Sequence, residues 1–232
     1  MDEQSIPAEV PLVGHTVQPV VGLPTGPFRC IVADPPWAYL WGTGKDGGNF
    51  SPEKHYATMT TDQICALPVR ALRDKNAVLA LWATGPCLPD AFRVMAAWGF
   101  KFKTMLFVWV KQNPKALTIV CGPGSYTRSA CEYVLLGMRG HVKRASTNPI
   151  SQVILAPRLG HSRKPEAVQD ALERLFPDGP RLELFARRPR FGWTVWGNEV
   201  PCKANPTGQP RTASVRSVAP GCCAPDSDRR KP

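Results

Sequence analysis

Phe28 to Ala33 (FRCIVA) is a short, nearly continuous apolar run that stops abruptly at Asp34 and two prolines, Pro35 and Pro36. Such a run fits a buried strand rather than a half-exposed one. Proline donates no backbone hydrogen bond, so the ladder ends there and the carboxylate emerges at the C-terminal edge of the strand. In open α/β sheets that edge is where ligands bind.

The remaining segments repeat the theme. Thr60 and Gln63 have the spacing of a capping box and open a short helix through about Leu72, interrupted near Pro68. Asn76 to Ala83 reads as a second buried strand. Leu88, Phe92, Met95 and Ala96 recur at helical spacing before Gly99, and Met105 to Val110 follows as a strand ending at Lys111. Glu132 to Gly137 and Gln152 to Leu155 are two further strands. Pro165 and Glu166 start a helix whose apolar stripe is Val168, Ala171, Leu172 and Leu175. Arg181 to Ala186 and Trp193 to Trp196 supply the last strands. Strands alternating with helices predict an α/β fold with a largely parallel sheet.

A chain of 232 residues holds one sizeable α/β domain. The sequence divides into an extended Pro- and Gly-rich lead-in over 1–27, a folded domain over 28–202 and a basic tail over 203–232, where six Lys and Arg face two Asp. The Gly-rich stretch 42–54 reads as a lid or a plain surface loop. A net charge of +11 makes a polyanion, and nucleic acid first, the expected partner. No apolar run reaches the roughly 20 residues of a membrane helix, and Met1-Asp2-Glu3 lacks the basic start of a secretion signal, so a soluble protein inside the cell is expected. Cys30, Cys65, Cys87, Cys121, Cys131 and Cys202 form no CxxC pair, which points to reduced thiols and to no metal site.

Asp34-Pro35-Pro36-Trp37 places a carboxylate, a carbonyl fixed by the following proline and an aromatic plate at one strand tip, a set that suits a planar base with an amino group. The exocyclic amine of adenine is a poor nucleophile because its lone pair is delocalised into the ring. Two acceptors aimed at that NH₂, the Asp34 carboxylate and the Pro35 carbonyl, favour the tetrahedral nitrogen that forms as a methyl group arrives. Trp37 or Tyr39 then stacks on the ring. A rigid strand-ending turn is the plain alternative.

ADPPW at 33–37, HYATMT at 55–60, ALWAT at 80–84, FVWVK at 107–111, HSRKP at 161–165, LELFAR at 182–187 and WGN at 196–198 stand in one order. In these segments the sequence, from about Phe28 to Glu199, resembles the MT-A70 family, the messenger-RNA N6-adenosine methyltransferases with their bacterial and phage relatives. The resemblance implies a Rossmann-like fold that uses S-adenosylmethionine, in permuted order with the catalytic segment before the cofactor segment. It assigns Asp34, Pro35, Pro36 and Trp37 to catalysis at the acceptor adenine. Asp34, Glu183, Arg187 and Asn198 become the cofactor-binding residues, and Tyr39, Tyr56, Glu132 and Lys164 the substrate-binding ones. Arg188-Pro189-Arg190 and Glu199 depart from the animal enzyme.

The expected reaction is direct methyl transfer to adenine N6, with DNA favoured over RNA as the polymer. Lys45, Lys54, Lys111, Lys143, Arg144 and Arg163 are candidates to hold the backbone. The enzyme is expected in the bacterial or phage-infected cytoplasm, as a monomer or homodimer with no obligatory partner. The rivals are an RNA N6-adenosine enzyme, a noncatalytic nucleic-acid-binding relative, and methylation of another amino group such as cytosine N4 or a glutamine side chain.

Overall fold

A computed structural model of the chain describes residues 22–38, 58–122, 126–145, 148–160 and 163–200. The lead-in before Gly22, the Gly-rich stretch, Tyr39, Tyr56, Lys45, Lys54, Cys202 and the basic tail lie outside the described residues.

Among the described residues the elements follow the expected order: β1 (Phe28–Ala33), α1 (Thr61–Cys65), α2 (Val69–Leu72), β2 (Arg73–Ala83), α3 (Leu88–Ala97), β3 (Lys101–Gln112), β4 (Cys131–Arg139), β5 (Val153–Pro157), α4 (Ala167–Leu175), β6 (Arg181–Leu184) and β7 (Thr194–Trp196), with a 3-10 turn at Gly85–Cys87. The capping box forms as its spacing requires, with the Thr60 hydroxyl accepting from the Gln63 N–H and the Gln63 side chain accepting from the Thr60 N–H. Pro68, which cannot donate to a preceding carbonyl, separates α1 from α2.

The strands form one sheet in the order β5-β3-β4-β2-β1-β6-β7. Helices cover both of its faces. On one side Ile64, Val94, Met95 and Trp98 pack on Ile31, Ala33, Leu79 and Leu81. On the other, Val168, Ala171, Leu172 and Leu175 of α4 pack on Cys30, Val32, Val78 and Trp82. Alternate residues of β1 thus enter different cores, which is why its sequence is continuously apolar. Trp82 and Trp109 are fully buried and meet edge to face.

The sheet departs from the expected parallel arrangement at one strand. β4 runs antiparallel to both β2 and β3 while every other pairing is parallel. Among the described residues of 113–130 no helix joins β3 to β4, and a connection without a crossover helix returns the chain antiparallel. Several bounds also shift. β2 and β3 start earlier than their apolar stretches because ladder pairing extends through the polar Arg73–Lys75 and Lys101–Thr104 segments. β6 ends at Leu184 because Phe185 turns to a left-handed φ of 63°.

β1 and β6 are parallel neighbours, with Val32 opposite Glu183 and Ala33 opposite Leu184. From β1 the chain crosses to β2 on one side, whereas β6 leads to β7 on the other. The connections therefore diverge between β1 and β6, and a crevice opens at their C-terminal ends. No helix among the described residues is long and apolar enough to cross a membrane.

Leu172 is fully buried between α4 and the sheet. Leu172→Ala should lower the unfolding free energy by about 2–5 kcal/mol through lost burial and the cavity left behind, read as a lower midpoint in urea denaturation.

Candidate active site

Asp34 is the first residue past the ladder of β1, and the turn after it is fixed from several directions. The Trp37 N–H donates to the Pro35 carbonyl at 2.9 Å, and the Met59 N–H donates to the Pro36 carbonyl at 2.8 Å. The Ala38 N–H donates back to the Met59 carbonyl at 3.1 Å. The Trp37 indole N–H donates to the Trp82 carbonyl at 3.1 Å. Trp37 is only 5% exposed, so it wedges the turn and walls the crevice instead of offering the open stacking plate expected of it.

Lys164 comes from the segment just before α4 and reaches the same point. Its ammonium donates to Asp34 Oδ2 at 2.8 Å and lies 3.2 Å from Glu132 Oε2. Lys111 closes the chain of charges at 2.6 Å from Glu132 Oε1. The Lys164 ammonium also sits 5.5 Å from the centre of the Trp82 ring. The reversal of β4 makes this cluster possible, because Glu132 near its start lies opposite Trp109 at the same sheet edge as Asp34.

Two carboxylates and two ammonium groups alternate here with little water. Burial raises the Asp34 carboxyl above its ordinary value, Lys164 opposes the rise, and the nearby Glu132 charge adds to it. Burial also works against the Lys164 ammonium, but the Asp34 and Glu132 carboxylates outweigh it and hold the amine protonated well above its usual range. Glu132 loses hydration too, yet Lys164 and Lys111 bring its carboxyl below the ordinary value.

The opposite wall comes from the ends of β6 and β7. The Ala186 N–H donates to the Trp196 carbonyl at 2.9 Å, and Phe185 meets Trp196 edge to face. A Cβ on Gly197 would collide with the Ala186 carbonyl oxygen, so only glycine permits this approach. Arg187 lies 3.6 Å from Glu199. Between the walls is a cavity of about 530 Å³ bordered by Asp34, Glu132, Lys164, Arg187, Gly197 and Asn198, with Pro35, Pro36 and Trp37 beside them.

Glu183 is the one described member of the expected set that does not border this cavity. Strand alternation sends Leu182 and Leu184 into the core on one face and Glu183 toward α4 on the other. There its carboxyl is raised by burial, and a hydrogen bond from Gln169 opposes the rise. Lys111 and Arg163, expected to face a polyanion, are instead paired with Glu132 and Glu166. Arg188 and Arg190 are likewise tied to α4: Arg188 meets Glu166 at 2.5 Å, and Arg190 reaches Asp170 at 2.6 Å and Glu173 at 2.9 Å. Thr84, Phe185 and Gly197 border the cavity without having been expected there. Each lies inside a motif segment, Thr84 at the end of ALWAT, Phe185 within LELFAR and Gly197 at the centre of WGN.

The MT-A70 family model matches residues 28–199. The type II methyltransferase M.MunI of Mycoplasma sp is 32% identical over 195 residues, which is 77% of this chain and 80% of that protein. The N(6)-adenosine-methyltransferase MT-A70-like protein of Arabidopsis thaliana is 31% identical over 75% of this chain and 24% of its own length. The human N(6)-adenosine-methyltransferase catalytic subunit METTL3 is 28% identical over 75% of this chain and 28% of its own length. The chain thus spans most of M.MunI and about a quarter of the eukaryotic relatives.

Lys164→Met removes the charge that compensates two carboxylates and should cost about 3–5 kcal/mol of stability at neutral pH. Because protonation of the stranded Asp34 relieves the unpaired charge, the loss relative to the parent chain should shrink as pH falls toward 5. Urea denaturation at the two pH values checks this, and a pH-independent loss would contradict the electrostatic origin.

Proposed function

The chain belongs to the MT-A70 family, and from that premise we propose that it transfers a methyl group from S-adenosylmethionine to the N6 amino group of adenine in nucleic acid, with DNA the favoured polymer. The observation that carries the reading is the Asp34 carboxylate, held by Lys164 at the tip of β1 and facing Arg187, Gly197 and Asn198 across one crevice.

The residues present fit the cofactor. A cavity of about 530 Å³ is within the range of small-molecule sites, and Gly197 lets its far wall close up against the Ala186 backbone. Arg187 and Asn198 would hold the cofactor's ribose and carboxylate from the β6–β7 side. Glu183, close enough to Asp34 to feel its charge, remains a candidate to reach the cofactor ribose from the neighbouring strand. When bound, S-adenosylmethionine supplies an electrophilic sulfonium methyl group.

The protein's own part is orientation. An ionised carboxylate accepts at about four lone-pair positions, so the bond from Lys164 to Oδ2 leaves Asp34 able to accept from the adenine amine. The Pro35 carbonyl uses one lone pair on the Trp37 N–H and keeps another for the same amine. Both acceptors draw the amine protons away from the ring plane, which frees the nitrogen lone pair for attack. The nitrogen sheds one proton as the N–C bond forms, and the Asp34 carboxylate, already raised in proton affinity by burial, stands beside it. Lys164 and Glu132 fix the carboxylate's position and border the space for the substrate nucleotide.

The preference for DNA rests on M.MunI, of which the chain matches 80%. The alternative, an RNA adenosine substrate, rests on the eukaryotic relatives, of which it matches about a quarter. The intact Asp34-Pro35-Pro36-Trp37 turn speaks against a noncatalytic scaffold.

Incubation with labelled S-adenosylmethionine and adenine-containing DNA or RNA, followed by digestion to nucleosides, should yield N6-methyladenine. Its absence from every substrate would sink the reading. Asp34→Ala should lower transfer on the order of 10²–10³-fold or more while cofactor binding, followed by calorimetry, survives. The acid limb of the kcat/KM profile should lie above the ordinary aspartate value of about 3.9. Below the raised value Asp34 carries a proton, loses acceptor capacity and activity falls. A limb at or below the ordinary value would exclude Asp34 as the titrating group.

A further inference from the structure

The edge of the sheet opposite the candidate active site carries a second concavity, of about 740 Å³, bordered by Lys75, Lys101, Lys103, Arg139 and His141. Its construction is specific. β3 starts and β4 ends there, with Lys101 opposite Met138. Each is joined to its neighbour by a left-handed glycine: Gly99 with φ 76° ahead of β3 and Gly140 with φ 62° after β4. A side chain on Gly99 would strike the Arg73 guanidinium, and one on Gly140 would strike Asn76. The turn at Gly140 packs closely on the Lys75 carbonyl and Asn76, and the His141 N–H donates to the Asn76 side chain at 2.9 Å.

The cations around the two concavities differ in their pairing. Around the catalytic crevice Lys111, Arg163, Lys164, Arg187, Arg188 and Arg190 are each matched to a carboxylate. At the opposite edge Lys75, Lys101, Lys103 and Arg139 make no ion pair among the described residues. Asp74, the adjacent carboxylate in sequence, accepts from the Asn76 N–H at 2.8 Å. Behind the groove Arg73 is held below its usual range by burial and by the positive charges of Arg139 and Arg70. Gathering like charges side by side costs self-repulsion that a bound polyanion relieves. Beside them Phe102 is 46% exposed and Phe92 is 42% exposed, their rings edge to face at 5.0 Å, an apolar step next to the cations. Exposed cations with exposed aromatic rings nearby suit a nucleic-acid strand, whose phosphates and bases need both. A recessed groove fits a strand better than it fits the flat face of a bilayer.

We propose that this groove is a second nucleic-acid contact, gripping the phosphodiester backbone of the substrate remote from the target base. The proposal rests on the reading of the chain as a nucleic-acid methyltransferase. From Glu132 to Arg139 along β4 is about 23 Å at roughly 3.3 Å per residue, and a strand advances about 3.4 Å per nucleotide. The groove therefore engages only substrates that extend at least about seven nucleotides from the methylated adenine.

The test compares the full chain with the Lys101→Ala/Lys103→Ala variant, using fluorescence anisotropy of labelled 6- and 24-nucleotide adenine-containing DNA over a range of salt. On duplex 24-mers the slope of log affinity against log salt should fall in magnitude by about 0.9 for each lost phosphate contact, while binding of the 6-mer stays unchanged. Lys101→Arg/Lys103→Arg should keep the parent slope. With the long substrate KM should rise and kcat hold, because a remote contact binds ground state and transition state alike. An unchanged salt slope would overturn the proposal, and so would equal losses on the 6-mer and the 24-mer. So would vesicles of phosphatidylserine and phosphatidylcholine losing affinity in the variant while DNA binding is untouched. Binding is read without cofactor or turnover, so a chain that methylates no adenine yet shows the length-dependent slope change refutes the proposed activity and leaves the groove standing.

Discussion

One ammonium group ties the candidate site together. Lys164 lies 130 residues from Asp34 in the chain and bonds to it at 2.8 Å, while also meeting Glu132. It thereby joins the tip of β1, the start of β4 and the approach to α4. Without it two carboxylates would face each other in a largely dry crevice, where like charges repel strongly and one would take up a proton. With Lys111 on the far side of Glu132 the cluster is electrically balanced and each carboxylate has a fixed partner. Moving four charges out of water costs several kcal/mol per ion, and apolar packing would stabilise such a position at least as well. What the network provides is a carboxylate held in one orientation at the mouth of a cavity.

The fold creates the conditions for that contact through strand order. Six strands point the same way and so bring their C-terminal ends to one edge, but a residue at the start of a strand reaches that edge only if its strand is reversed. β4 is that strand, and Glu132 arrives through its reversal. The divergence of connections between β1 and β6 leaves the crevice uncovered by a crossover. Its far wall is held by other means: Gly197 allows the ends of β6 and β7 to meet, and Arg190, bridging to Asp170 and Glu173, fastens the intervening loop to α4.

Both edges of the sheet carry positive charge, in different surroundings. Near the cavity Lys111 is turned inward to the buried Glu132, whereas Arg163 meets Glu166 in a pair on the surface with both side chains about half exposed. Lys75, Lys101, Lys103 and Arg139, unmatched among the described residues, border one concavity where β3 begins and β4 ends. Antiparallel pairing of these two strands is responsible, since it places Lys101 and Lys103 next to Arg139 although they stand far apart in the chain.

Much of this protein is legible from its sequence. β1 reads correctly to both ends because each of its faces is buried, so hydrophobicity alone marks it. The capping box at Thr60 and the apolar stripe of α4 are equally local signals. Asp34, Lys164, Glu132, Arg187 and Asn198 do meet at one cavity, as the order of the motifs implies. The polar start of β3 escapes such a reading because its strand character comes from ladder bonds to β4 and not from its own side chains. The direction of β4, the inward turn of Lys111, the side of β6 from which Glu183 projects and the enclosure of Trp37 are hidden for the same reason. Residue type and local periodicity are properties of neighbours along the chain, so the sequence by itself determined which chemistry is available and where the main elements lie. Which groups face one another depends on strand order, direction and register, which are set by burial and pairing between distant segments, and only the tertiary structure decided them.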